Sequence, residues 1–194
     1  MLNTYAPHPV SRWLCGLIIF GQLLCASLSV AQTKPSAEEL ELSLKGSWIG
    51  ALEYRDYQSG QKFELPMTMQ ISVAADNATI TRVSAFDDGP KTGIVYITTI
   101  SLFDAKTSRG SHAVFRKGRA VDVWTDDAKV TTYKDTQNWT IVYQHQGTDD
   151  SKPADIRITQ SRAGSDLIAL KEVKSVGTAD TAYVFRNQVR LKQK

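Results

Sequence analysis

The chain has 194 residues, 42% of them hydrophobic and 22% charged, with 23 Lys plus Arg against 20 Asp plus Glu. That length supports one domain with a sizeable core, and the near balance of charge, with no long run of one sign, excludes a nucleic-acid arm or a polybasic membrane patch. The cluster Arg109, Arg116, Lys117 and Arg119 is broken by apolar residues at strand spacing and reads as a solvated strand face.

Residues 1–31 carry a single charge, Arg12, then the apolar run Trp13 to Leu24, then the small residues Ala26, Ser27, Ser29 and Ala31. This order is that of a secretory signal peptide cleaved after Ala31. The apolar run is shorter than the roughly 20 residues a membrane-spanning helix needs, so no transmembrane segment is expected in the mature chain. Cys25 follows Leu24 rather than a small residue, which argues against a lipoprotein anchor. Both cysteines, Cys15 and Cys25, leave with the signal, so neither a disulfide frame nor a thiol nucleophile is expected. The location read from this is export from a bacterial cell, to the periplasm or beyond.

Residues 32–35 read as a flexible leader, and 36–194 as one domain. Ser36 stands three residues before Glu39, a capping-box spacing, and Leu40 and Leu44 are four apart. A short helix is therefore predicted from Ser36 to Lys45, stopped by Gly46. Beyond it the period changes to two. Phe63, Leu65, Met67, Met69, Ile71 and Val73 alternate with polar residues, the mark of a strand with one buried face. Pro66, on the wet parity, cannot donate to a ladder and implies a bulge or a locally unpaired position.

Further strands are predicted over 79–86, 94–103, 111–117, 119–125, 129–133, 138–146, 154–161, 166–174 and 182–191. The turns between them include Asp87-Asp88-Gly89-Pro90 and Ala163-Gly164, and a longer polar loop is expected over 147–153. No helix is expected after Gly46. The spacing fits an all-β sandwich or barrel. An open sheet of this many strands would leave two unpaired edges, which favours a closed antiparallel up-and-down barrel of about 8 to 10 strands over a sandwich.

Gly46-Ser47-Trp48 leads from the short helix into the first strand, and the last strand, Tyr183 to Leu191, carries Arg186 and Arg190. This pairing resembles the calycin superfamily of lipocalins and fatty-acid-binding proteins. The resemblance implies a barrel whose closed end is plugged by the Trp48 indole, with Arg186 or Arg190 lying across its ring. It covers the two ends of the domain, about 25 residues. The segments 52–57, 87–90, 153–157 and 185–190 also resemble an uncharacterised family of exported bacterial proteins, a likeness that brings no activity with it.

Chemistry-bearing motifs are sparse. His112 and His145 lie on different strands, each on the parity of apolar neighbours, without His-x-His or His-x-x-x-His spacing, so no metal site is expected. No Gly-x-Ser-x-Gly is present. The acidic pairs Asp87-Asp88, Asp126-Asp127 and Asp149-Asp150 read as turn residues. No phosphate loop precedes a helix. No catalytic residue and no cofactor is assigned.

The barrel interior remains, with Tyr54, Met67, Met69, Tyr96, Trp124, Tyr143 and Arg157 as the candidate lining. Met and aromatic side chains make an adaptable apolar wall, and a buried Arg pairs with a ligand carboxylate, although Arg157 falls on the polar parity of its strand and a solvated position stays open. The same side chains can instead fill a small barrel without leaving a cavity. The function expected from this resemblance is binding of a small apolar or amphipathic molecule, lipid-like or a fatty acid, in the lumen. Two alternatives stand beside it. One is an envelope interaction module with a filled core and an exposed aromatic cluster around Trp139 or Tyr57. The other is a small barrel enzyme, which requires His112 or His145 within reach of a carboxylate. Oligomeric state is not legible.

Overall fold

The computed structural model of the protein describes residues 34–56, 59–177 and 182–194. The signal peptide read over 1–31, the first two residues of the leader, and Tyr57 lie outside the described residues. Among these residues no helix is long and apolar enough to cross a membrane.

Helix α1, Ala37–Leu42, is set by the capping box the sequence announced: the Ser36 hydroxyl accepts from Glu39 N at 3.2 Å, and Ser36 N donates to the Glu39 carboxylate at 2.8 Å. Its Leu40, with Leu44 just beyond it, is fully buried. Ten strands follow: β1 (Gly46–Arg55), β2 (Lys62–Val73), β3 (Ile80–Asp87), then, after the short helix α2 (Gly89–Thr92), β4 (Ile94–Asp104), β5 (Arg109–Arg116), β6 (Asp122–Asp135), β7 (Asn138–Asp149), β8 (Lys152–Ala163), β9 (Asp166–Ser175) and β10 (Val184–Gln193). Each pairs antiparallel with its chain neighbours, and β1 pairs with β10 from Trp48↔Gln193 to Tyr54↔Asn187, so the sheet is a closed up-and-down barrel.

Several local expectations are corrected. The strands read over 119–125 and 129–133 are one strand, β6, so Asp126-Asp127 sits within a ladder rather than in a turn. The loop expected over 147–153 is a two-residue hairpin, because Asp150 (φ 48°) and Ser151 (φ 61°) both take left-handed conformations, which match the twist of the flanking strands. Asp149 accordingly ends a strand. Helix α2 was not foreseen, since one turn beginning Gly-Pro carries no apolar period. Pro66 stays in register opposite Ala51 without a bulge, and the β2/β3 ladder starts one residue later, at Met67↔Phe86, so its missing N–H is not called on.

The buried core fills the α1 end of the barrel. Leu40, Leu44 and Trp48 pack with Met67, Ile71, Ile80, Phe103, Trp139, Ile141, Leu167 and Leu191. Gly50 closes the sheet beside it. A Cβ there would land on the Arg190 main-chain carbonyl, which no side-chain rotation can relieve. Gly50→Ala is expected to strain the β1/β10 join and cost about 1–3 kcal/mol of stability; an unchanged urea midpoint would contradict this.

Candidate functional site

Three levels of polar groups line the barrel from the α1 end upward. At the bottom, Glu41 of α1, 1% exposed, points into the lumen. Its carboxylate pairs with the Arg82 guanidinium of β3 and accepts from the Tyr143 hydroxyl of β7 and from Gln160 Nε2 of β8, the last at 2.7 Å. Burial, and beside it the Glu41 charge, hold the Tyr143 phenol well above its usual range, so it stays a donor. The Trp48 indole, fully buried, donates to the Leu44 carbonyl at 2.9 Å. The guanidinium over its ring is that of Arg162 in β8, 5.6 Å from the centroid. Arg162 also donates to Ser43 O (2.8 Å), Gly164 O (3.0 Å) and Gln193 Oε1 (3.0 Å).

In the middle, Arg82 donates to Ser101 Oγ at 3.3 Å, and Ser101 Oγ lies 2.9 Å from His112 Nδ1. On its other side His112 Nε2 is 3.0 Å from Asp126 Oδ2. That approach is close but off the line of a hydrogen bond, and both His112 Nε2 and Asp126 Oδ1 are buried without a hydrogen-bond partner. The His112 ring stacks on Trp124 (5.1 Å, 22°), which stacks in turn on His145 (5.7 Å, 24°). Trp124 Nε1 and His145 Nδ1 are likewise buried and unpartnered. Burial pulls the His145 pKa below its ordinary value, so the ring is held neutral. Gly110 makes room for this level: a Cβ there would lie 2.6 Å from both Asp126 Oδ1 and His112 Nε2. Gly110→Ala is therefore expected to push the pair apart and cost about 1–3 kcal/mol, read as a lowered melting temperature; a wild-type melt would refute it.

Above this level, the register between β6 and β7 runs from Asp135↔Asn138 to Asp127↔Gln144 and stops. Beyond that point β6 pairs only with β5, as far as Val114↔Asp122, and β7 only with β8, as far as Asp149↔Lys152. The wall is therefore parted along a seam. A cavity of about 410 Å³ lies in it, lined by Asp122 and Trp124 of β6, His145 and Gly147 of β7, Ile156 and Ile158 of β8, and Lys171 of β9. A smaller space of about 120 Å³, lined by Leu52, Leu65, Phe86, Val95, Ile97 and Arg116, lies towards the same end on the other side of the barrel.

Of the residues predicted for the lining, Met67 and Tyr143 are buried and Met69 packs against the core. Tyr54 stacks on Phe63 at the upper end (5.7 Å), and Trp124 lines the seam. Tyr96 is corrected: it is 60% exposed on the outer face, because opposite Ala85 it takes the outward parity of β4. Arg157 is also outside, bound to Glu172 (3.0 Å) and stacked on Tyr183. The clamp assigned to Arg186 or Arg190 is corrected as well. Arg190 reaches Glu53 (2.8 Å) and Glu64 (2.6 Å) at the surface, and Arg186 reaches Asp149 (3.3 Å) and the Arg55 carbonyl. Trp139 is 2% exposed and presents no surface aromatic to a partner.

The sequence reading missed Glu41, Arg82, Ser101, Asp126, Arg162 and Lys171. The signal was there: each strand residue sits on the inward parity of its strand, as Lys171 does between Leu167, Ala169 and Val173. Among the described residues no group of three His, Cys, Asp or Glu is placed to hold a metal ion.

No family model matches the sequence, and no curated protein is similar to it at sequence level. The fold is similar to the crystal structure of Rv2717c from M. tuberculosis, with 13% sequence identity and a TM-score of 0.57 over 82% of this chain and 99% of that one. At that identity the likeness shows the barrel alone.

Proposed function

We propose that the protein is an exported barrel that binds one small apolar or amphipathic molecule in the upper lumen, at the β6/β7 seam. One observation carries this reading: Trp124 Nε1 and His145 Nδ1 are buried without partners beside a cavity of ligand size. Buried polar atoms are satisfied in all but a few cases, and each exception asks for an explanation; a bound molecule supplies the missing partners. The apolar share of the wall, Ile156, Ile158 and the Trp124 ring, suits the rest of such a molecule. Export rests on the signal-like residues 1–31, and the calycin-like reading on Trp48 at the closed end under a guanidinium. The test is titration with the uncharged dye N-phenyl-1-naphthylamine alongside native mass spectrometry of the purified protein. One equivalent of dye or of a co-purified molecule is expected, with dye uptake reduced in Trp124→Ala. Neither species bound would overturn the proposal.

A second reading has an observation in its favour. The enzyme alternative demanded a histidine beside a buried carboxylate, and His112 and Asp126 form that pair. The Trp124 ring, stacked between His112 and His145, separates the pair from the seam cavity, so the geometry favours binding over acid–base chemistry on a bound molecule. Turnover of a bound compound that is lost in His112→Gln would reverse that preference.

A further inference from the structure

Resting on the lumen-binding reading, we infer that the β6/β7 seam is the entrance and the binding site for a small organic anion, whose acidic group lies on the Lys171 ammonium and whose body packs against Trp124 and His145. Lys171 projects inward from β9, opposite Ile158 and Asn187, and lines the seam cavity. Among the described residues no carboxylate lies within ion-pair distance of it, and it makes no hydrogen bond, whereas the neighbouring lysine Lys174 is paired with Asp155 at 2.8 Å. The nearby carboxylates do not fill the role: Asp149 is bound by Arg186, and Asp122 is exposed on the rim. A half-buried ammonium without a counter-charge is costly unless something pairs with it. Burial draws its pKa down from the ordinary lysine value, the charges of Asp149 and Asp122 act against that fall, and the Arg186 charge adds to it.

The other polar atoms agree. The indole N–H of Trp124 is a donor only, and the neutral His145 ring donates in one of its tautomers, so both of the buried unpartnered nitrogens beside the cavity can present a hydrogen to an acceptor, with the Asp122 carboxylate kept out at the rim. The route follows from the ladder. With β6 and β7 unpaired from Asp122 to Asp126, a ligand passes through the wall without breaking any β6/β7 ladder pair, and arrives directly at Lys171.

Two dyes with one ring system separate the claims: 8-anilinonaphthalene-1-sulfonate, an anion, and N-phenyl-1-naphthylamine, uncharged. The anion is expected to bind the purified protein more tightly. Lys171→Met should weaken the anion about tenfold, the loss of one charge-assisted bond, so that the ratio of anion to neutral-dye affinity falls, and Lys171→Arg should restore that ratio. Equal binding of the two dyes with Lys171→Met inert overturns the anion site while leaving the lumen reading intact; failure of both dyes to bind overturns both. Should Lys171→Met not fold, competitive acetylation of the wild-type protein gives the answer: the anion is expected to slow modification of Lys171, and labelling unaffected by saturating anion overturns the inference.

Discussion

Glu41→Ala is expected to destabilise the protein by about 3–5 kcal/mol, the cost of removing one partner from a buried ion pair. The carboxylate is almost wholly buried and serves three strands at once through Arg82, Tyr143 and Gln160. Its loss leaves the Arg82 guanidinium, whose side chain is 15% exposed, without a counter-charge inside the barrel, and two further donors unmatched. Because Arg82 also holds Ser101, which meets His112, the disturbance should travel up the lumen. The double variant Glu41→Leu, Arg82→Met removes both charges together and is expected to recover much of the loss. Urea unfolding of the two variants checks this. A single variant within about 1 kcal/mol of wild type, well below the penalty for a stranded buried charge, would show that the hub is not built as described.

The barrel was legible because its physics is local and periodic. Alternation along Phe63 to Val73 sets one face of β2, the capping box at Ser36 sets α1, and the number of strands makes open edges untenable. What was not legible depends on which strands face each other across the lumen. Arg162 clamps Trp48 although Arg186 and Arg190 lie on the strand next to β1, because β8 brings its inward face to the plugged end while Arg190 pairs with Glu53 and Glu64 on the outer face and Arg186 with Asp149. Tyr96 was misplaced because β4 has apolar residues on both parities, Ile94 and Ile100 outside and Val95, Ile97 and Phe103 inside, so composition gave no bearing on its direction. The seam escaped notice for a different reason. Nothing in the residues of β6 or β7 says that their ladder stops at Asp127↔Gln144; that is a property of how the whole barrel closes, not of either strand alone.

Trp48→Ala should cost a similar amount, about 3–5 kcal/mol, by emptying the largest buried side chain at the closed end. Trp48→Phe keeps most of the apolar contact and loses the bond to the Leu44 carbonyl, worth about 1 kcal/mol, so the ratio of the two losses separates packing from hydrogen bonding. The Arg162 guanidinium should survive either change in place, because Ser43, Gly164 and Gln193 hold it independently of the ring. The variants also bear on function. Trp48 lies at the α1 end with the buried core, whereas the seam cavity is formed by Trp124, His145 and Lys171 farther up the barrel. At a temperature where Trp48→Phe remains folded, its melting curve should shift while its affinity for N-phenyl-1-naphthylamine stays at the wild-type value. A loss of affinity in step with stability would mean that the dye senses the plugged end, and that the ligand space is not at the seam.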